Sequence, residues 1–199
     1  MKSILFTLLL CILFIVPAMA QESQVILTYR EIPAYPAKYR AGTVAARVID
    51  GLGFRYYWAT EGLKDADLNF RPNEKARTSL ETIRHIYELS NVIARTVIEE
   101  DESIANDIPI TEFTEMRNRT LQNLKTASDI LRVARDKEMK NFNIGSRNAN
   151  SGAGFPFWNL LNGPIADALW HTGQVVSFRR SSGNPINPKV NVFIGNLRE

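Results

Sequence analysis

Four separate stretches of this chain carry apolar residues at the three-to-four spacing of an α-helix, and that rhythm restricts the fold more than any other feature. In the first, residues 41–63, Ala45, Val48, Leu52, Tyr56, Ala59 and Leu63 fall on one helical side. The second, residues 79–100, sets Ile86, Leu89, Ile93 and Val97 in a stripe, and Thr78 with Glu81 three positions on forms a capping box at its start. The third, residues 111–140, follows Pro109 and repeats Phe113, Met116, Thr120, Leu124, Ala127, Leu131 and Ala134, with lysines and arginines gathered toward its end. The fourth, residues 156–180, closes at Ser181-Ser182-Gly183 and is interrupted by Pro164, where it kinks or properly begins. Arg179 and Arg180 in its last turn complement the helix dipole. Four amphipathic helices of this length, with no strong internal repeat, predict an all-α antiparallel four-helix bundle.

The connecting segments read differently. Residues 64–75 form a linker, because Pro72 argues against helix continuity. Residues 141–154, rich in Asn, Gly and Ser, read as a mobile loop. Val25 to Tyr29 and Val190 to Ile194 are short extended arms that pair, wrap the bundle or dock loosely.

The first twenty residues read as a signal peptide. Lys2 supplies a positive start, residues 4–16 are a nearly unbroken apolar run, and Ala18-Met19-Ala20 is a small-x-small cleavage signature before Gln21. The domain plan is therefore a signal peptide at 1–20, an N-terminal arm at 21–40, the bundle at 41–183 and a C-terminal arm at 184–199. The single cysteine, Cys11, falls inside the apolar run after Leu10, which is not the small residue that precedes a lipidated cysteine. Cleavage after Ala20 leaves a product without cysteine, so disulfides, thiolate zinc sites and cysteine nucleophiles are excluded from it. The expected location is exported, periplasmic or extracellular. The formal charge is +3 with acidic and basic residues interspersed, and no basic tract argues for nucleic acid. No second apolar run is long enough to span a bilayer.

Chemistry concentrates in Ala166-Asp167-Ala168-Leu169-Trp170-His171-Thr172-Gly173-Gln174. Asp167 and His171 lie one turn apart on one helical face. The only other histidine, His85, sits in the second helical stretch. If the two segments pack together, two histidines and one carboxylate converge, a set that holds a divalent metal and leaves coordination positions open. Zinc, nickel, iron and manganese all suit such ligands. Each residue also has a plainer reading: His85 as a core histidine beside Leu89 and Val92, Asp167 as a charge at a helix N-terminus, His171 as a hydrogen-bond donor to a neighbouring helix. Glu81 and Glu88, one turn either side of His85, are candidates for a base or for a group that orients the ligand. Gln174 is a candidate for orienting His171 or binding substrate. Gly173 suits close helix packing, and Tyr56, Tyr57, Trp58, Trp158 and Trp170 are candidates for an aromatic pocket as well as ordinary core.

Three features in order resemble the DinB/YfiT-like metalloenzyme superfamily. They are the linker Leu63-Lys64-Asp65-Ala66-Asp67-Leu68-Asn69-Phe70-Arg71-Pro72, the single-histidine helix after it, and His171-Thr172-Gly173-Gln174 near the end of the fourth helix. The resemblance spans residues 41–183. It implies a four-helix bundle, usually dimeric, with a divalent metal held by one histidine of the second helix and two of the fourth. His85 and His171 match two of those ligands. The third belongs four residues before His171, where this chain has Asp167. A carboxylate there either keeps the site with a more negative ligand set or marks a relative that has lost it.

The leading expectation is an exported metal-dependent enzyme that acts on a small molecule through a metal-activated water. Relatives of the thiol-transferase kind use small cytosolic thiols, which an exported protein lacks, so hydrolysis is favoured over transfer. The alternative is a non-catalytic helical bundle that binds a ligand or partner, with the polar trio as a buried hydrogen-bond network. DNA repair follows only from the family's name, and neither charge nor compartment supports it.

Overall fold

The computed structural model describes residues 28–98, 110–145 and 154–199. The expected signal peptide and the first residues of the N-terminal arm lie outside the described residues. Within them the chain is all-α apart from one small hairpin. Six α-helices follow in order: α1 Ala41–Thr60, α2 Asp65–Leu68, α3 Ser79–Ile98, α4 Phe113–Val133, α5 Phe157–Leu160 and α6 Ala166–Ser181. The strands β1 Val190–Asn191 and β2 Asn196–Leu197 pair antiparallel. The long helices α1 and α3 each pack against both α4 and α6.

The apolar stripes form the core. Ile49, Leu52 and Tyr56 of α1, Ile83, Ile86 and Ile93 of α3, and Met116, Leu121, Leu124 and Leu131 of α4 are fully buried. Each such burial contributes about 1.5–3 kcal/mol. Val48, expected in the first stripe, is instead exposed. At Gly42 a β-carbon would lie 2.2 Å from the Leu131 carbonyl oxygen, so only glycine lets α1 approach the end of α4 this closely.

The third helix is shorter than the 111–140 periodicity predicts. It ends at Val133, where Ala134 turns extended, and a 3-10 turn follows over Asp136–Asn141. Glu138 explains the break, because its carboxylate accepts the Arg135 backbone N–H at 2.8 Å and starts the new turn. That turn brings Asp136 Oδ1 to the Ala41 N–H at 3.1 Å, an acid at the start of α1. The loop expected at 141–154 is also partly packed: Phe142 is buried against Phe157, and Ile144 bridges Phe155.

The linker holds a short helix of its own, α2. Asp67 is buried there and receives hydrogen bonds from Ser182 Oγ, Asn184 Nδ2 and the Lys64 N–H. Arg179 differs from the expectation that it serves its own helix end. It is buried, and its Nη1 donates to the carbonyls of Trp58, Ala59 and Glu61 at 3.0 Å, closing the C-terminus of α1 instead.

Both arms are docked. Tyr29 is buried with its ring over Gly53, where a β-carbon would come within 2.4 Å, and its hydroxyl donates to Asp50. Asp50 is itself fully buried and also receives Ser128 and Arg132. Ile32 N–H donates to the Gly195 carbonyl at 2.8 Å, joining one arm to the other. Of the strand expected at Val190 to Ile194, Val190 and Asn191 are extended, and the chain then turns back into β2.

Candidate metal centre

The fourth helical stretch is built from three pieces. After α5, Leu161–Ile165 is a π-type turn, and Gly163 inside it has non-helical backbone (φ −96°, ψ −105°). Pro164 has no N–H to continue the α ladder, so the break falls there and α6 begins afresh at Ala166. This leaves Asp167 in the first turn of α6, where the positive end of the helix dipole favours its charge.

One turn on, His171 points to the same place, and α3 packs alongside with His85. Asp167 Oδ2 lies 3.2 Å from His85 Nε2, and its Oδ1 lies 3.3 Å from His171 Nε2. The imidazoles meet edge to face, centroids 4.8 Å apart. One ligand atom from each of the three residues falls within 4.8 Å of the others, and together they could hold a metal ion. All three are half-buried, which leaves a side open to solvent.

The outer nitrogens carry the chemical information. His171 Nδ1 is 2.8 Å from Gln174 Oε1, a contact that holds the ring when Nδ1 carries the proton. His85 Nδ1 lies 3.6 Å from the Glu88 carboxylate, on the side of the ring away from Asp167. In the tautomer protonated at Nδ1 each ring turns its Nε2 lone pair toward an Asp167 oxygen, and in the other its Nε2–H donates to that oxygen. Lone pairs turned toward a carboxylate repel it unless a cation stands between them. Ligating histidines characteristically hold their second nitrogen against such an outer acceptor. The donor set therefore fits a divalent ion.

The other candidates divide. Glu81 is engaged in the capping box, accepting the Thr78 N–H at 2.7 Å while its own N–H meets Thr78 Oγ1. The Thr78 N–H and hydroxyl hold its carboxyl below the usual carboxylate range. Tyr56, Tyr57 and Trp58 are core residues rather than a pocket wall, and Trp58 donates its indole N–H to the Arg30 carbonyl. Trp158 and Trp170 are exposed. Trp170 alone of the five reaches the site, lining an open depression beside Asp167 with Leu89, Gly163 and Pro164. The role of Gly163 was readable in Asn162-Gly163-Pro164, a turn-forming run in which the proline alone carried the sequence reading. Gly173 does not mediate close packing, since a β-carbon there would meet nothing within 4 Å.

Set beside protein-family models, curated proteins and solved structures, the chain matches none of them.

Proposed function

We propose that His85, Asp167 and His171 form a divalent-metal centre in a DinB-like four-helix bundle, and that the protein is an exported hydrolase of a small molecule. One observation carries the reading: the inward nitrogens of both histidines converge on the two oxygens of one carboxylate while their outer nitrogens face acceptors. The packing of α1 and α3 against both α4 and α6 supports the bundle.

A divalent ion held there supplies a Lewis acid that activates water or polarises a carbonyl oxygen. The chain's own residues do the rest. His85 and His171 present neutral nitrogen, and Asp167 adds the negative charge that replaces a third histidine. Gln174 fixes the His171 ring through Nδ1–H, and Glu88 does the same more loosely for His85. Trp170, Leu89 and Pro164 wall the open side by which a substrate reaches Asp167. Glu81, engaged in capping Thr78, is not assigned a catalytic part.

A second reading has its own observation. The direct contacts of Asp167 with both rings can satisfy the trio as a hydrogen-bond network without any ion, as a non-catalytic binding protein would have it. Elemental analysis of the protein, purified without a histidine tag or chelator, separates the two. About one zinc, nickel, iron or manganese per chain supports the metal centre, and none supports the network. Light scattering tests the dimer that the resemblance implies.

A further inference from the structure

Arg55 of α1 and Arg180 of α6 face a single cavity of about 550 Å³ on the opposite stripe of α6 from the histidines. Leu169, Gly173, Val176 and Arg180 recur at four, three and four residues along that stripe, which turns them away from Asp167 and His171. The far wall is the C-terminal segment, through Ile186 and Val190. No acidic side chain lines the cavity. Arg55 is half-buried, and among the described residues its guanidinium meets only backbone carbonyls, Gly51 O at 2.9 Å and Val192 O at 3.5 Å. Those contacts use few of its five donors and leave its charge unneutralised. Burial also lowers the Arg55 pKa from its usual value, as expected of a cation without a counter-ion. Arg180 is exposed at the rim, and its guanidinium has no hydrogen-bond or ion-pair partner among the described residues.

Two guanidinium groups with no acidic partner among the described residues thus share one cavity with the aliphatic side chains of Leu169, Val176, Ile186 and Val190. We propose that the cavity binds a small organic carboxylate, with the charged end between Arg55 and Arg180 and the apolar body against Leu169, Val176, Ile186 and Val190. Guanidinium forks match carboxylate geometry, and the aliphatic walls reward an apolar tail that inorganic anions lack. Gly173 keeps the space open. Glycine in mid-helix is unfavourable relative to alanine, and no packing contact here requires it.

The test is calorimetric titration of the purified protein, with EDTA present, using sodium carboxylates from acetate to octanoate and inorganic phosphate. Affinity rises about fourfold per added methylene until the cavity is filled. Arg55→Gln and Arg180→Gln each weaken octanoate binding tenfold or more. Gly173→Leu fills the space and removes octanoate binding, while its melting temperature stays level or rises, so the loss is not unfolding. His171→Ala binds octanoate as the parent does, which separates this cavity from the metal centre. Equal affinity for acetate, phosphate and octanoate overturns the proposal. So does octanoate binding that survives Gly173→Leu and both arginine changes, and so does no binding at all.

Discussion

Gln174 Oε1 lies 2.8 Å from His171 Nδ1, within hydrogen-bond reach of the ring nitrogen that faces away from Asp167. Gln174→Leu removes the acceptor and frees the ring to turn. Metal affinity should fall about 10- to 100-fold, with one ion per chain still bound at saturation. Gln174→Glu keeps an acceptor at the same reach and should retain most of the affinity. Competition titration against a zinc chelator measures both.

Asp167 is the one carboxylate among the three candidate ligands. Asp167→Asn keeps its size and hydrogen bonding, so the helical circular dichroism signal should persist while metal affinity drops steeply. Asp167→His supplies a third imidazole on the same face and should restore binding or strengthen it. If the trio is a hydrogen-bond network instead, neither variant binds metal, and Asp167→Asn costs only about 1–3 kcal/mol of stability.

Arg179 holds three carbonyls at the end of α1 and one of Asn184 from a buried position. Arg179→Ala leaves buried carbonyls unpaired and should cost about 2–4 kcal/mol in urea unfolding. Arg179→Lys should recover little of this, because a single ammonium cannot span carbonyls that a planar guanidinium reaches together.

Asp67 supplies the pH dependence. Burial alone would raise its pKa, but hydrogen bonds from Asn184, Ser182 and the Lys64 N–H, with Arg179 nearby, outweigh that and hold it below the usual range. A carboxyl depressed on folding stabilises fully above its unfolded pKa, about 3.9, and the contribution is lost as pH falls through the folded value. Unfolding midpoints should therefore drop below about pH 4. In Asp67→Asn that part of the drop should disappear, leaving a protein less stable at neutral pH.

The helices were legible because burial imposes its period directly on the sequence, as the stripes from Leu52 to Tyr56 and from Ile86 to Ile93 illustrate. Their ends were less so. Lysines and arginines continue the helical composition past Val133, and only the Glu138 carboxylate on the Arg135 N–H shows why the chain turns there. The convergence of His85, Asp167 and His171 was legible because Asp167 and His171 share one helix at fixed spacing and only one other histidine exists to join them. The capping box at Thr78 was equally local, and the structure commits Glu81 to it. Arg179 was not legible, since its partners on α1 lie far away in the chain. The Arg55–Arg180 cavity was hidden for the same reason: its walls come from α1, α6 and the segment from Ile186 to Val192, and no local pattern joins them.

Zinc titration of the parent protein beside His171→Ala tests the metal centre most directly. His171 contributes one inward nitrogen and no long-range packing contact comparable to Arg179, so its loss should leave the fold intact. The parent should show one tight zinc site per chain and His171→Ala none, with equal helical signal in both. Zinc affinity indistinguishable between the two proteins would contradict the metal centre.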